Sequence, residues 1–408
     1  MFKTIKEMNL LFVNSIPFNP VLGGIERVTD ILTKGLQKQG YHISYLCGYI
    51  DNQHEFMLNY DFPAPIYMLP ESGLFDSEVN LAFYQELLER LDINIVINQR
   101  GVGGEFNRLL NVGNAKKISV LHSRPDAVVD SHIGRILLFP QFPKEFKEQL
   151  KKWIKFILYP IFYCKVKFMV IKTLKKKYQY LALNSDAIVL LSDKDSDVLY
   201  SYGIKENNGI ICGIPNPNTF PVINDISVEE KDRIILFVGR LDQFSKNVLC
   251  LIKVWRRLFV KFPDWKLVIV GDGPEKNRII NYIRIKNIKN VYLEGIQKDV
   301  QKYYRKAAFI CLTSIYEGWG MALTEGMAHG CIPFTFNNYG AAFDVVDDGI
   351  NGCLIKAFDI KEYSIRLEEL MSNDIKRIKM GKAALKKVEK FSVENVVKKW
   401  EDLFSRFV

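Results

Sequence analysis

Apolar residues in the first half of the chain form short continuous runs, and longer runs with helical spacing lie between them. Short apolar runs bounded by turn residues predict buried strands, and a spacing of three or four residues predicts a helix with one buried face. The predicted helices are Ile25–Gln39, Ser77–Leu91 and a segment that begins at Ser192 and ends at Gly203. The predicted strands are Asn9–Asn14, Tyr41–Cys47, Ile93–Asn98, Lys117–Leu121, Ala187–Leu191 and Ile210–Ile214. The first strand, helix and strand form a βαβ unit, which implies a parallel sheet.

The same alternation starts again in the second half of the chain. The stretch from Thr219 to Asp232 is polar and has no periodicity, so it is the predicted linker between two units. The strands predicted after it are Ile234–Val238, Lys266–Val270, Asn290–Leu293, Phe309–Leu312 and Cys331–Phe336. The helices predicted between and after them are Val248–Val260, Glu275–Ile285, Val300–Lys306 and a helical pattern from Ile360 onward. The sequence therefore predicts an α/β protein with two successive Rossmann-like domains and a cleft between them.

Length and composition agree with a folded protein of two domains. The chain has 408 residues, of which 48% are hydrophobic and 25% are charged, as in ordinary folded soluble proteins. Its seven cysteines show no close pairing, and Cys250, Cys311 and Cys331 lie within apolar runs. Buried free thiols in a reducing compartment are therefore expected. The five histidines are scattered without metal-ligand spacing, so no metal site is predicted.

The positive charge of the chain is concentrated in one segment. The net charge is +10, and residues 144–177 carry eleven lysines and two glutamates. Aromatic and aliphatic residues lie between these lysines, and this composition favours contact with an anionic membrane surface. A pair of solvated helices and a nucleic-acid-binding surface are the alternatives. The predicted membrane-contact residues are Lys151, Lys152, Trp153, Lys155, Lys175, Lys176 and Lys177.

Two glutamates eight residues apart follow one of the buried strands of the second unit. Glu317 lies in a predicted turn with Gly318 and Gly320, and Glu325 lies in the helix that follows. Ligands of open α/β sheets bind beyond the carboxyl ends of the strands, and the free amides at a helix start favour anions. The turn could therefore face a ligand, although an ordinary turn with solvated glutamates has the same sequence pattern.

Two further turns in the second unit contain residues suited to phosphate. Gly239, Arg240 and Lys246 follow the first strand of this unit, and arginine and lysine together suit a diphosphate. Gly271, Asp272, Gly273 and Pro274 form the turn after the next strand. A nucleotide near these turns and plain surface turns are both compatible with the pattern.

The first unit offers fewer candidates. His122 ends a predicted strand and lies at the edge that faces the cleft, where a catalytic role and a structural role are equally compatible with the sequence. Gly23 and Gly24 precede the first helix but lack the full spacing of a dinucleotide fingerprint.

Taken together, these motifs resemble the retaining glycosyltransferases of the GT-B fold, family 4 (glycosyl transferases group 1). The matching segments are Gly23 to Glu26, Gly239 to Leu241 with Lys246, Gly271 to Pro274, the E-x7-E pair Glu317 and Glu325, and Asp348 to Gly352. The match is strong over residues 234–356 and looser before them. Trp319 stands where this family usually has phenylalanine, Gly326 where it has alanine, and Asn247 where it often has glycine.

The resemblance implies a role for each motif. Arg240 and Lys246 would hold the donor diphosphate, Glu317 would face the donor sugar, and His122 would stand near the reacting centre. Glu325 would accept hydrogen bonds from the ribose hydroxyls. The implied catalytic residues are Glu317, His122, Arg240 and Lys246. The implied donor-binding residues are Gly24, Gly239, Arg240, Lys246, Gly271, Asp272, Gly320, Met321, Ala322 and Glu325.

The expected protein is thus a cytoplasmic enzyme, peripheral on the membrane, that uses a nucleotide-diphosphate sugar as co-substrate without a metal or other cofactor. Its acceptor would be a glycan or a lipid-linked glycan, and no nucleic-acid partner is expected. The expected domains are 1–218 with the basic insertion 144–177, 219–385, and a helix at 386–408 that packs back on the first domain. The alternatives are a glycoside hydrolase using Glu317 and Glu325, and a non-catalytic membrane- or nucleic-acid-binding protein. A dehydrogenase is disfavoured, because neither unit carries a dinucleotide fingerprint with its downstream acid.

Overall fold

The computed structural model describes residues 7–72, 75–101, 108–127, 129, 159–205, 210–222 and 226–407. In this part of the chain the strands form two parallel sheets, one of seven strands and one of six. The predicted α/β class and the two Rossmann-like units are therefore confirmed.

The first sheet has the strand order β3-β2-β1-β4-β5-β6-β7, and all of its described pairings are parallel. Its central strands are almost wholly buried, which explains their continuous apolar runs. The short edge strand β3 was not predicted, because three residues give no measurable periodicity. The strands are β1 (Asn9–Asn14), β2 (His42–Cys47), β3 (Ile66–Met68), β4 (Ile95–Asn98), β5 (Lys116–Leu121), β6 (Ala187–Leu190) and β7 (Ile210–Gly213).

Helices cover the first sheet, and the first two lie within one residue of the predicted bounds. The segment predicted to begin at Ser192 starts as a 3-10 turn over Asp193–Asp195, where the Ser192 side chain accepts from the amide of Lys194. The α-helix itself follows at Ser196. The helices of this half are α1 (Gly24–Lys38), α2 (Glu78–Arg90), α3 (Tyr159–Leu183) and α4 (Ser196–Ser201).

The second sheet has the strand order β10-β9-β8-β11-β12-β13. The order turns back between β8 and β11, and ligands bind at such a switch point in open α/β sheets. The strand β13 was not predicted. The strands are β8 (Asp232–Val238), β9 (Lys266–Val270), β10 (Val291–Gly295), β11 (Ala307–Cys311), β12 (Ile332–Phe336) and β13 (Cys353–Ile355).

One predicted helix of the second half is shorter than expected. The helix predicted over Val248–Val260 ends at Trp255, and the chain continues in turns. Amides such as those of Leu258 and Lys261 bond three residues back, and Leu258 stays buried. The apolar pattern therefore continues beyond the end of the helix. The helices of this half are α5 (Val248–Trp255), α6 (Lys276–Ile285), α7 (Gln301–Lys306), α8 (Met321–Met327), α9 (Ala342–Val345), α10 (Ile360–Met371), α11 (Asp374–Val388) and α12 (Val393–Phe404).

The last helix, α12, packs on the first sheet's side of the molecule. Its buried residues Val396, Val397 and Trp400 belong to the same hydrophobic cluster as strands β1 and β2. Gly35 of α1 provides the space, because a Cβ atom there would lie 2.7 Å from the Val397 side chain. The chain thus crosses between the two units twice, and these crossings limit how the two sheets can move apart. The domain limits at 218/219 and 385/386 stay a prediction.

The basic segment is only partly described. Residues Lys151, Lys152, Trp153 and Lys155 lie outside the described residues. Lys175, Lys176 and Lys177 are exposed on α3, and Phe168 and Met169 on the same helix are 66% and 57% exposed. No helix among the described residues is long and apolar enough to cross a membrane.

The cysteines that lie in apolar runs are buried as predicted. Cys250, Cys311 and Cys331 are at most 6% exposed and form no disulfide. Burial raises the pKa of the Cys250 thiol to about 11 and that of the Cys331 thiol to about 11, so both thiols stay protonated at neutral pH. They contribute to packing rather than to chemistry.

Candidate active site

Glu317 and Lys246 meet at the carboxyl ends of the central strands of the second sheet. Lys246 Nζ lies 2.6 Å from Glu317 Oε1, and Ser314 Oγ donates to the same oxygen at 2.6 Å. Glu317 is 8% exposed. The second carboxylate oxygen, Oε2, accepts no hydrogen bond from the described residues. The structure therefore presents an oriented, largely buried carboxylate with one oxygen free, beside a lysine.

The loop that carries Lys246 is held rigid by Asp242. Asp242 Oδ1 accepts from the amide of Phe244 at 2.7 Å, and the Asp242 carbonyl accepts from the amides of Lys246 and Asn247. Asn247 has a φ of 48° in the left-handed region, where asparagine and glycine are the favoured residues. The family's usual glycine and this chain's asparagine thus serve the same backbone conformation.

Arg240 lies on the same loop but points to solvent. Its side chain is 68% exposed, and its Nη2 lies 2.7 Å from Asp242 Oδ2. The structure therefore does not bring Arg240 into contact with Glu317. The guanidinium can leave its ion pair with Asp242 and bind an anion at the mouth of the cleft. The loss of this pair costs little, because solvent-exposed ion pairs contribute little to stability.

Gly271, a predicted donor-binding residue, and Gly273 of the same turn have a structural reason of their own. A Cβ atom at Gly271 would overlap the carbonyl of Gly239, and one at Gly273 would lie 2.5 Å from the carbonyl of Leu241. Gly271 also has a φ of 134°. These glycines allow the turns after β8 and β9 to pack against each other, whether or not a ligand is bound. Asp272 lies between them and pairs with Lys276 at 2.6 Å, and this hydrogen bond lowers the pKa of the Asp272 carboxyl.

The turn between Glu317 and the helix α8 also depends on glycine. Gly320 precedes the first residue of α8 with a φ of 77°, and no side chain caps this end of the helix. The amides of the predicted donor-binding residues Gly320, Met321 and Ala322 lie at this helix start. Gly326, further along α8, packs on Ile310 of β11, where a Cβ atom would lie 2.7 Å from Ile310 Cγ2.

Glu325 occupies a separate buried network. Tyr304 OH donates to Oε2 at 2.7 Å, and Thr219 Oγ1 donates to Oε1 at 2.6 Å. Arg27 Nη1 of α1 lies 3.5 Å from Oε1, so this contact bridges the two sheets. Glu317 and Glu325 share no partner among these contacts. Burial beside the Glu325 carboxylate raises the pKa of the Tyr304 hydroxyl well above its usual value, so this group acts only as a donor.

His122 lies at the end of β5, on the opposite wall of the cleft. Its Nε2 contacts Gln99 Oε1, and desolvation lowers its pKa to about 4, so it is neutral at physiological pH. Its carbonyl oxygen abuts Gly318, where a Cβ atom would overlap it. The structure thus brings the His122 backbone directly against the turn that carries Glu317.

Other contacts hold the walls of the cleft together around this point. Asp195 Oδ1 accepts from the amide of Gly340 at 3.1 Å, and Arg124 Nη1 donates to the carbonyl of Asn338. Lys194 also pairs with Asp344. Together with the Arg27–Glu325 contact, these bonds join the two walls of the cleft.

Gly24 is the first residue of α1 and is exposed. A Cβ atom there would meet no atom of the described residues within 4 Å, so their packing gives no reason for glycine at this position. Room for a ligand's close approach is therefore a remaining explanation.

Sequence analysis missed the residues that orient the site. These residues lie outside the glycine-rich motifs and form hydrogen bonds with Glu317, Arg240, Glu325 and His122. They are Ser314, Asp242, Thr219, Tyr304, Arg27 and Gln99. Arg27 and Asp242 directly follow the motif segments and could have been suspected from that position. Tyr304 and Thr219 are brought to Glu325 only by the fold. The described residues contain no group of three or more histidine, cysteine, aspartate or glutamate side chains that could hold a metal ion.

The second half of the chain is similar to a known protein family. Residues 221–387 match the family model "Glycosyl transferases group 1". An uncharacterized glycosyltransferase of Haemophilus influenzae is 28% identical over 386 residues, which are 93% of this chain and 96% of that protein. The poly(ribitol-phosphate) alpha-N-acetylglucosaminyltransferase of Staphylococcus aureus is 27% identical over 244 residues, which are 57% of this chain but only 47% of that protein.

A solved structure extends the likeness to both sheets. A mutant of S. aureus TarM, crystallised with fondaparinux, alpha-GlcNAc-glycerol and UDP, aligns with a TM-score of 0.69 at 17% identity. The alignment covers 98% of this chain and 99% of that one. At this identity the likeness establishes the fold, which is GT-B. The chain is thus a glycosyltransferase of the GT-B fold, and its residues 221–387 match the group 1 glycosyltransferases.

Proposed function

We propose that the chain is a retaining, family 4 glycosyltransferase that transfers a sugar from a nucleotide-diphosphate donor to a glycan or lipid-linked acceptor, in surface polysaccharide or lipopolysaccharide synthesis. The observation that carries the proposal is the contact of Lys246 Nζ with Glu317 Oε1 at 2.6 Å, at the switch point of the second sheet. A lysine beside a carboxylate suits a reaction in which a phosphate leaves and a sugar ring becomes positive.

Departure of the nucleotide diphosphate develops negative charge that must be stabilised. Lys246 is only 27% exposed, so its charge acts in a partly desolvated position, where preorganised cations stabilise a developing anion most. Arg240, which is exposed, supplies a second cation at the cleft mouth. Gly24 on the opposite wall leaves room for the phosphates, and the amides at Gly320, Met321 and Ala322 add neutral donors. Gly239 and the turn at Gly271 and Asp272 would border the nucleotide.

Positive character on the sugar ring needs a carboxylate that does not move. Ser314 and Lys246 both hold Glu317 Oε1, which leaves Oε2 for the sugar. Glu325 would hold the ribose, since each carboxylate oxygen can accept about two hydrogen bonds. Its oxygens are fixed in place by Tyr304 and Thr219. His122, neutral because of its lowered pKa, would act near the reacting centre as a hydrogen-bonding group rather than as a cation.

The alternative of a glycoside hydrolase has less support. Glycosidases pair two carboxyl groups across one glycosidic bond. Here Glu317 is committed to Lys246 and Ser314, and Glu325 to a network around Tyr304 and Thr219. The two carboxylates therefore work in separate surroundings, as expected for a sugar site and a nucleotide site.

The test is the configuration of the product. Purified protein, a nucleotide sugar and a short glycan acceptor are followed by proton NMR, which identifies the anomer that forms. We expect a glycoside with the donor's configuration, and its rate should fall at least a hundredfold in the Glu317→Gln protein. An inverted product would contradict the retaining assignment, and free sugar formed at the same rate without acceptor would support a hydrolase.

Peripheral membrane association is the last part of the proposal. Lys175, Lys176 and Lys177 are exposed on α3, and Phe168 and Met169 are exposed apolar residues of the same helix. Each lysine near an anionic surface contributes about 1 kcal/mol of attraction. The predicted membrane contacts of Lys151, Lys152, Trp153 and Lys155 lie outside the described residues.

Vesicle sedimentation tests the membrane proposal. With vesicles that contain anionic lipid, changing Lys175, Lys176 and Lys177 together to Gln should lower the bound fraction several-fold, and salt should weaken the binding of the unchanged protein. The same substitutions at Lys361, Lys379 and Lys386, which are exposed on the second half of the chain, serve as the charge-matched control. Equal sedimentation of the two triple variants would count against a membrane-facing α3.

A further inference from the structure

A cavity lies at the edge of the cleft, apart from the proposed donor residues. It has a volume of about 670 Å³ and opens between the carboxyl ends of β6 and β7 and the segment that connects α11 to α12. Trp319 forms part of its wall. None of Glu317, Lys246, Arg240, Glu325 and His122 lines it. A cavity of this size can bury a ligand as large as a short oligosaccharide or a sugar phosphate.

The cavity has an excess of unpaired positive charge. Five lysines and four aspartates line it. Lys194 pairs with Asp344, and Lys387 pairs with Asp347 at 2.8 Å, so these four charges largely cancel.

The remaining lysines are Lys390, Lys398 and Lys399, which are exposed and pair with no carboxylate among the described residues. Of the remaining aspartates, Asp193 accepts from the amide of Gly213 through Oδ1. Asp402 is the other carboxylate of the wall. Three free ammonium groups around one cavity suit a phosphate group, which lysine binds as a point charge.

The indole of Trp319 is a second, independent feature of this cavity. Trp319 is 2% exposed and packs edge-on against Phe391 with the ring centroids 4.9 Å apart. Its Nε1–H is buried and has no hydrogen-bond partner among the described residues. An orphaned buried donor is uncommon in folded proteins and calls for a partner. The phenylalanine usual in this family would fill the same wall without the donor, so the indole N–H is a property of this chain.

The position of the cavity points to the acceptor rather than the donor. Trp319 is two residues from Glu317 in the same turn, and Gly318 between them abuts the His122 carbonyl of the first sheet. One of the other walls comes from Leu191 to Lys194, Gly213 and Pro215 of the first half of the chain. A ligand in the cavity would therefore lie next to the turn that carries Glu317, but outside the contacts of Lys246.

We propose that this cavity binds a phosphate group of the acceptor. This proposal rests on the proposed glycosyltransferase function. Lys390, Lys398 and Lys399 hold the phosphate oxygens, and Trp319 closes the wall toward the reacting sugar. The acceptor is accordingly a phosphate-bearing glycan. Its phosphate belongs either to a phosphodiester within a polymer or to the diphosphate of a lipid carrier.

Binding to the full-length protein tests the proposal first. Pyrophosphate is titrated by calorimetry in the presence of saturating UDP, so that the donor site is occupied. Changing Lys390, Lys398 and Lys399 together to Gln should raise the Kd for pyrophosphate at least tenfold. The charge-matched triple variant at Lys361, Lys379 and Lys386 should leave it unchanged. An equal Kd in both triple variants would overturn the proposal.

Kinetics then distinguish the two acceptor sources. A short poly(glycerol phosphate) oligomer and a short polyprenyl-diphosphate sugar are compared as acceptors, with donor hydrolysis measured in parallel. The triple Gln variant at Lys390, Lys398 and Lys399 should have a KM at least tenfold higher for one of these two acceptors. Its rate of donor hydrolysis should be unchanged. Unchanged KM for both, with pyrophosphate still bound, would mean an adventitious ion only and would overturn the proposal. If the proposed function itself fails, donor hydrolysis and transfer will be absent in the unchanged protein as well.

Discussion

Replacing Lys246 with Met should lower kcat/KM for the nucleotide-sugar donor about 100- to 1000-fold, which is the usual effect of removing one preorganised group that stabilises developing negative charge. Methionine keeps most of the length and apolar stem of lysine, so the change removes mainly the ammonium group. The protein should stay folded, because Ser314 Oγ still donates to Glu317 at 2.6 Å and Asp242 still fixes the loop. Steady-state kinetics of nucleotide release, together with the melting temperature, measure both effects.

The matched control is Lys261→Met. Lys261 pairs with Glu368 on the surface of the same half of the chain, where its side chain is 62% exposed. Surface pairs of this kind contribute little to stability, and this one is remote from the cleft's contacts. The kcat/KM of the Lys261→Met protein should therefore match that of the unchanged protein. If the Lys246 variant also stayed within threefold of the unchanged protein, Lys246 would have no part in the reaction.

Replacing Gly318 with Ala should have the second large effect, because the added Cβ atom would overlap the carbonyl oxygen of His122. That oxygen is a backbone atom at the end of β5, so it cannot rotate away as a side chain could. The two walls of the cleft must therefore separate. Glu317 would then lose its position relative to the first sheet. We expect kcat/KM to fall more than tenfold, because small displacements of reacting groups cost this much. Small-angle scattering should show a larger radius of gyration.

Gly326→Ala provides the comparison within one half of the molecule. Its Cβ atom would lie 2.7 Å from Ile310 Cγ2, so it crowds α8 against β11 without touching the opposite wall. Overpacking of this kind costs about 1–3 kcal/mol of stability. The melting temperature should fall while the radius of gyration stays the same. If Gly318→Ala instead behaved like Gly326→Ala, with a lower melting temperature but an unchanged radius of gyration, the contact of Gly318 with the His122 carbonyl would not set the separation of the two walls.

The sequence was sufficient for the architecture because the buried parallel strands are continuous apolar runs with clear turn residues between them. It failed where an element is too short for periodicity, as in β3 and β13, or where burial continues past the end of a helix, as at Leu258. Local pattern does not distinguish a buried α-helix from buried turns that follow it. Only packing against neighbours does so.

For the candidate site, the sequence identified the groups but not their relations. Spacing placed Glu317 in a turn and Glu325 in a helix, and both are found there. Spacing did not indicate that Arg240 faces solvent and pairs with Asp242, or that Arg27 reaches Glu325 from the opposite sheet. Such contacts join residues up to 298 positions apart, and only the packed fold brings them together. The glycines at 271 and 273 also serve the packing of two turns, which the sequence could not separate from ligand binding.

The measurement that tests the central claim most directly is nucleotide release from a panel of nucleotide-diphosphate sugars by the full-length protein, with and without glycan acceptors. The account predicts that at least one donor releases its nucleoside diphosphate faster when acceptor is present, and that the Glu317→Gln protein releases it at least a hundredfold more slowly. Release from that donor at equal rates by the unchanged protein and the Glu317→Gln protein would contradict the assignment of the cleft at Glu317 as the active site.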